Sequence, residues 1–321
     1  MNTNRSVKLR DIVDKFQMEV ILKGRDYETE ILTITDVNRP GLQFVGFFDY
    51  FDPRRLQIIG KSETTFLQSF SSAERRKCFE NIFRYEIPAL VISRNLEVFP
   101  ECLEMAQKFE RTLLRTAYTS VEFTSMSIDY LNRELAPVIT RHGVLMDVYG
   151  EGVLILGDSG IGKSETAIEL IKRGHRLVAD DAVEIKRIGG TLFGTAPELI
   201  RNYLEVRGVG VIDVQKLFGL GAVQDSAPIE LVIEFEKWDD EKFYDRLGLD
   251  DSFISIMEVP VPYTVIPVSA GRALAGIVEL AAINNRQKRR GCNSAHDFVN
   301  QIDGYVDRNT PKHETEMKEL R

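Results

Sequence analysis

The stretch GVLILGDSGIGKSETAIEL, Gly152 to Leu170, decides the fold. Its opening GVLILG is a short apolar run with β-branched residues, which reads as a buried strand. It runs directly into GDSGIGKS, where Gly157 and the later Gly162-Lys163-Ser164 have the Walker A spacing of a phosphate-binding loop. A helix is expected over Ser164 to Arg173, with Ala167, Ile168 and Ile171 on one face and Gly174 as its stop. Glycines let backbone N–H groups turn inward to meet phosphate oxygens. The helix start adds the positive end of its dipole. Lys163 can bridge the outer phosphates of a nucleotide, and the Ser164 hydroxyl can ligate Mg²⁺. The candidate cradle is Gly157, Asp158, Ser159, Gly160, Ile161, Gly162, Lys163 and Ser164. A glycine-rich turn that binds nothing is the ordinary alternative, and the strand-to-helix context weighs against it.

Around this loop, 321 residues argue for two domains, and a hydrophobic content of 43% suffices for ordinary cores. The formal net charge of −8 argues against nucleic acid as a partner, because duplex binding needs a dense basic face. No run of ~18 apolar residues reads as membrane-spanning. The opening MNTNRSVKLRDIVDKF lacks the apolar core of a signal peptide. The three cysteines, Cys78, Cys102 and Cys292, show no CxxC spacing. A sparse, odd count fits buried free thiols in a reducing cytosol, so a cytoplasmic location is expected. The four histidines form no metal-like cluster.

The expected fold class is α/β in two domains, an N-terminal domain over 1–132 and a phosphate-loop domain over 133–321. In the first, a helix is expected over Val7 to Phe16, then strands at MEVILK, TEILTI and LQIIG. Helices follow over Ser72 to Phe83, with Ser71 or Ser72 as N-cap, and over Pro100 to Phe109. PALVISR and TLLRTA are further strands. No residue pattern in this half indicates chemistry. Ser120 to Ala136 has a helical rhythm, bridges the halves and is ended by Pro137. In the second half LVADDAVEIKRI, IELVIEFEKW and YTVIPV read as strands, and Ala273 to Arg289 as a long helix. The polar stretch from Asp307 to Arg321 reads as a surface helix or a frayed tail.

Asp180 and Asp181 follow the strand LVA. A carboxylate at a strand end beside a phosphate loop holds Mg²⁺ or a water, or accepts a proton from an attacking hydroxyl. Two adjacent carboxylates repel, so one of them should have a raised pKa. A solvated turn is the alternative. Asp239 and Asp240, ending IELVIEFEKWDD, compete for the same role, but alternating Glu230, Glu234 and Glu236 suggest a half-exposed strand there. In LEVRGVGVIDV, Gly208 and Gly210 suggest a flexible loop or close backbone approach. Glu205 could reach Mg²⁺ and Arg207 could screen phosphoryl charge, against the alternative of a surface salt bridge. His142, Arg246 and the turn PVSAGR are weaker candidates on spacing alone.

Together these stretches resemble the bacterial HPr kinase/phosphorylase family. The resemblance is carried by HGVLMDVYG, GDSGIGKSETAIELIKRGHRLVADD, APELIRNYLEVRGVGVIDV and LFGLGAV, with RPGLQFVGFFDYF and RLQIIG in the first half. The RGHRLVADD and LEVRGVGVIDV stretches are its most selective parts. The chain has no HRD, DFG or VAIK element of the usual protein kinases. The resemblance implies an N-terminal regulatory domain and a kinase domain similar to phosphoenolpyruvate carboxykinase. It implies a homohexamer that phosphorylates a serine of the phosphocarrier HPr with ATP or pyrophosphate. The reverse reaction would use inorganic phosphate and release pyrophosphate. Fructose 1,6-bisphosphate would favour the forward direction and inorganic phosphate the reverse.

The resemblance further implies roles for individual residues. His142, Lys163, Asp181, Asp180 and Arg246 would be catalytic, with Asp181 the base forward and the acid in reverse. Ser164 and Glu205 would hold Mg²⁺. Leu204, Glu205, Val206, Arg207, Gly208, Val209, Gly210, Val211, Ile212 and Asp213 would form the signature loop. Pro267, Val268, Ser269, Ala270, Gly271 and Arg272 would form the segment tied to dephosphorylation. This chain departs from the family pattern there, with Ser269 and Ala270 in place of a basic residue and proline, and Ala273 where asparagine is common. A small-molecule kinase and a nucleotide-sensing regulator without catalysis remain the rival expectations, and intact Lys163 and Asp181 favour an enzyme.

Overall fold

The computed structural model describes residues 5–242, 244, 251–269 and 271–309. The chain divides into two compact units, Met1–Pro137 and Val138–Arg321, both of mixed α/β content.

The first unit is built on a five-stranded sheet, in the order Glu19–Leu22, Leu113–Arg115, Leu90–Ile92, Leu56–Ile59, Val37–Asn38. All neighbours are parallel except the first pair. Successive side chains alternate between two cores, as strand geometry requires. Ile58, Val91 and Leu114 pack towards helices Leu9–Lys15 and Ser120–Glu134. Ile59, Leu90, Ile92 and Leu113 pack towards helices Lys61–Gln68, Ser72–Phe83 and Pro100–Lys108. Burial on both faces explains why LQIIG and PALVISR are continuous apolar runs. Ser71 caps its helix: its hydroxyl accepts from Glu74 N at 3.3 Å, while Glu74 accepts from Ser71 N at 2.8 Å. TEILTI contributes less than its pattern promised. Only Ile31–Leu32 is extended, and it pairs with Val7–Lys8 outside the sheet, so the helix expected from Val7 begins at Leu9.

The second unit has three layers. Helices Lys163–Lys172 and Leu274–Arg289 cover one face of a six-stranded sheet, and a four-stranded antiparallel sheet covers the other. The six strands run in the order Arg176–Ala179, Val144–Val148, Glu151–Gly157, Leu231–Lys237, Val259–Val268, Ser252–Ile256. Glu151–Gly157 and Leu231–Lys237 are parallel neighbours at its centre. The second of these is not the half-exposed strand its glutamates suggested. Leu231, Ile233 and Phe235 are buried under the helices and Val232 under the other sheet. Glu234 is accommodated because its carboxylate accepts a hydrogen bond from the Tyr263 hydroxyl.

LVADDAVEIKRI is two strands rather than one. Arg176–Ala179 ends in the larger sheet and Ala182–Ile188 begins in the smaller, with Asp180 and Asp181 at the crossing. Asp181 has φ +66°, the left-handed conformation that lets the chain change sheets. Cys78 and Cys102 are buried as expected, but Cys292 is exposed. No helix among the described residues is long and apolar enough to cross a membrane. Residues 310–321 of the polar tail lie outside the described residues.

Candidate functional site

The glycine loop is delivered by strand Glu151–Gly157 and received by helix Lys163–Lys172. Gly157 has φ +133°, and a Cβ there would sit 2.5 Å from the carbonyl oxygen of Phe235 on the neighbouring strand. Gly162, at φ +107°, is the residue before the helix. Both positions therefore require glycine. Lys163 curls back over the loop, and its Nζ donates to Gly157 O at 2.7 Å and Asp158 O at 2.8 Å. Burial lowers its pKa, against the pull of Asp180 and the other nearby carboxylates.

Asp180 is buried at 5% exposure and joins two segments. One carboxylate oxygen accepts from Ser164 Oγ and the other from Glu205 N, both at 3.1 Å. Its pKa is raised, chiefly by burial; those two hydrogen bonds oppose the shift and the charge of Asp181 adds little. The raised carboxylate foreseen for the pair is thus Asp180, and desolvation dominates repulsion. Asp181 faces the opposite way and is exposed. Its Oδ1 lies 3.0 Å from His142 Nδ1. The same ring nitrogen is 2.9 Å from Asp181 O, which also accepts from Gly143 N at 3.1 Å. His142 is placed there because Val138–His142 pairs with Ala182–Ile188, putting His142 opposite Ala182.

The stretch whose glycines suggested a flexible loop or a close backbone approach is a β-hairpin, with Tyr203–Val206 paired to Gly210–Asp213. Its turn needs positive φ at Gly208 (+82°) and Gly210 (+102°). Leu204 is buried on the inner face, and Glu205 is exposed on the outer. Arg207 extends from the turn onto the phosphate loop. Its Nη2 donates to Ser159 Oγ at 3.4 Å, and a Cβ on Gly160 would lie 2.5 Å from its Nη1. Sequence reading missed this contact. The available signal was Gly160 itself, a glycine that the GxxxxGKS spacing does not call for.

The competing carboxylates are tied within their own turn: Asp240 accepts from Trp238 Nε1 at 2.7 Å, and Asp239 from Glu241 N at 2.9 Å. In PVSAGR, Arg272 Nη1 donates to Pro267 O at 2.6 Å. Two residues on, Leu274 opens the long helix and faces Gly162, 3.8 Å from where a Cβ would be. Arg246 and Ala270 lie outside the described residues.

No group of three or more His, Cys, Asp or Glu suited to a metal occurs among the described residues. Mg²⁺ does not need one, since it keeps waters and shares substrate phosphates. Ser164, Asp180 and Glu205 supply hard oxygens beside the loop. Among the described residues the Glu205 carboxylate has no ion-pair partner. The donor set fits Mg²⁺ carried in with a phosphate ligand.

Both units match known family models. Residues 7–131 match the HPr Serine kinase N terminus, and residues 133–302 the HPr Serine kinase C-terminal domain. An HPr kinase/phosphorylase from Caldanaerobacter subterraneus is 51% identical over 92% of this chain and 97% of its own length. One from Peptoclostridium acidaminophilum is 45% identical over 94% of this chain and 98% of its own. A solved structure described as the Hpr(Ser) kinase/phosphatase from Coxiella burnetii is 36% identical, with TM-score 0.46, covering 50% of this chain and 98% of that one. With both units matched and relatives this similar along nearly its whole length, the chain belongs to the HPr kinase/phosphorylase family.

Proposed function

We propose that this chain transfers a phosphoryl group from ATP, or from pyrophosphate, to a serine of HPr, and removes it with inorganic phosphate. The observation that carries this reading is the different setting of two adjacent aspartates. Asp180 is buried against Ser164 and the hairpin, whereas Asp181 is exposed beside His142. A protein substrate can reach only the second.

In the forward direction the serine oxygen attacks the terminal phosphorus and Asp181 takes its proton. The bond from that phosphorus to the leaving phosphate oxygen breaks. Lys163 and the loop amides spread the charge of the transferring group. Ser164 and Glu205 would hold Mg²⁺, which supplies further neutralisation of phosphate charge. His142 would orient Asp181. In reverse, an oxygen of inorganic phosphate attacks the phosphoserine phosphorus, and protonated Asp181 gives its proton to the serine oxygen as that bond breaks. The products are serine and pyrophosphate. The same groups serve both directions because the phosphate-driven removal is the pyrophosphate-driven transfer run backwards.

The finer family properties come with this reading. They are a fold similar to phosphoenolpyruvate carboxykinase for residues 133–321, a regulatory domain over 1–132 and a homohexamer in the cytoplasm. Fructose 1,6-bisphosphate and inorganic phosphate would act as opposed effectors in carbon catabolite repression. Arg246 and the Pro267 to Arg272 segment would contribute to the site.

The test is turnover of Asp181→Asn and Asp180→Asn in both directions over a magnesium titration. Asp181→Asn should lose roughly 10²- to 10⁴-fold in both directions, the usual contribution of a general acid–base group, at every magnesium concentration. Asp180→Asn should instead shift the magnesium requirement upward. Near wild-type rates in Asp181→Asn would overturn the assignment.

A further inference from the structure

The segment that carries Ser164 and Asp180 is closed at both ends. Helix Lys163–Lys172 leaves the phosphate loop, turns at Gly174 and returns as strand Arg176–Ala179, which leads directly into Asp180. At the loop end the two limbs are joined by the hydrogen bond from Ser164 to Asp180. At the far end they are joined by a residue that belongs to neither. Glu279, on helix Leu274–Arg289, accepts from Arg173 Nη1 at 3.0 Å through one carboxylate oxygen and from His175 Nε2 at 2.9 Å through the other. Arg173 is braced in turn by Glu169 of its own helix, 2.7 Å from Nη2. Neither Glu279 nor His175 takes part in the transfer chemistry.

Three observations give this clamp a task beyond holding the turn together. First, His175 is buried, and the Glu279 side chain is only 15% exposed. Tyr149 stands edge-on to the imidazole, with ring centroids 4.5 Å apart and planes at 83°. A pair so far out of water adds little net stability over apolar side chains of the same size, because desolvation offsets the attraction. What it supplies is direction: two donors on two oxygens fix where the turn sits. Second, the strand leaving the turn has slack. Arg176–Ala179 is an edge of the six-stranded sheet, and its pairing with Val144–Val148 shifts register between Leu177 and Ala179. On its open side Leu177 alone is bridged, to Val223, among the described residues. Asp180 lies five residues beyond His175, about 16 Å along an extended chain. A working site tolerates roughly 0.5 Å of misplacement, so the start of this strand has to be held. Third, the helix that supplies Glu279 also reaches the loop, where its first residue, Leu274, faces Gly162. The clamp therefore ties the strand ending at Asp180 to the same helix that abuts the phosphate loop.

We propose that Glu279, acting through His175 and Arg173, is a positioning residue for the metal: it sets Asp180 against Ser164 and the hairpin, and thereby how tightly Mg²⁺ is held with a nucleotide. The proposal rests on the reading of Ser164 and Glu205 as the Mg²⁺ side of the loop.

The test is calorimetric binding of ADP to the full chain, with saturating Mg²⁺ and with EDTA, and without any protein substrate. The ratio of the two affinities is the magnesium-linked gain. Glu279→Met fills the same space without either hydrogen bond. It should lower the gain by roughly tenfold, the lower end of what is lost behind a metal's ligands, and leave ADP affinity in EDTA within about twofold of wild type. In Glu279→Gln the amide oxygen can accept from Arg173 and the NH₂ can donate to the other tautomer of His175, so most of the gain should return. With Asp180→Asn already present, Glu279→Met should change the gain by less than about twofold, because it acts through that residue. Denaturant melts report whether each variant folds. Should Glu279→Met not fold, Arg173→Met, at a position 41% exposed, should shift the gain in the same direction by less. An unchanged gain in folded variants, even with a lowered melting midpoint, would make the clamp purely structural and overturn the proposal. So would equal weakening of ADP with and without Mg²⁺, or losses that multiply with Asp180→Asn. A wild-type chain with no magnesium-linked gain would remove the metal reading itself and this proposal with it, and would show before any variant is made. Because HPr is absent, the result is independent of the protein-substrate reading.

Discussion

Gly160 and Arg207 show how one residue's identity is set by another far away in sequence. Gly160 has φ +78°, and the space where its Cβ would go is occupied by the Arg207 guanidinium. Gly160→Ala should therefore push Arg207 off the loop as well as strain the backbone. If Arg207 helps hold phosphoryl charge, Gly160→Ala and Arg207→Ala should each lower turnover, and the double variant should be little worse than Arg207→Ala. The coupling expected for such contacting residues is about 0.5–3 kcal/mol in activation free energy, read from the double-mutant cycle. Losses that simply multiply would make the contact incidental. The loop itself was legible because its constraints are local: glycines, lysine and serine at fixed spacing. The Arg207 contact was not, since it depends on a hairpin folding back over 48 residues of chain.

At the scale of elements, the apolar runs that fill both-sided sheets were plain in the sequence. GVLILG, PALVISR and LQIIG each became strands within a few residues of their expected ends. What escaped were elements defined by partners rather than by pattern. The paired aspartates read as a strand ending in a turn, but nothing local says that the chain changes sheets there. LEVRGVGVIDV read as a loop because two glycines obscured its alternation. Packing of helix on helix is likewise invisible in one segment. Glu101, in the first turn of helix Pro100–Lys108, is buried at 5% exposure against Arg75 of helix Ser72–Phe83, 2.9 Å away. Hydrogen bonds from the Arg75 guanidinium hold its pKa down to about 2, overcoming the cost of burial. A depressed folded-state pKa adds stability that is full above the unfolded value near 4.5 and is lost as pH falls through about 2. Glu101→Gln should thus cost roughly 1.5–3 kcal/mol at neutral pH, as for a hydrogen bond to a charged group. The deficit relative to wild type should shrink between pH 4.5 and pH 2. Denaturant melts across that range measure it, and a pH-independent difference would mean that the pair is not what holds these helices together.

Across the whole molecule, each layer of the second unit contributes one part of the site. The central parallel strands deliver the glycine loop, the helix Lys163–Lys172 receives it, and the crossing between the two sheets presents Asp180 inward and Asp181 outward. The hairpin closes over the loop from a third side. If this arrangement moves one phosphoryl group on and off a protein serine, the group should pass between phosphate and serine without being lost to water. The most direct measurement incubates the full chain with purified HPr, Mg²⁺ and ATP labelled in the terminal phosphate, and then adds unlabelled inorganic phosphate. Label should appear on a single serine of HPr and then leave as pyrophosphate. Absence of label on HPr while ATP still binds, or release of the label as inorganic phosphate alone, would contradict it.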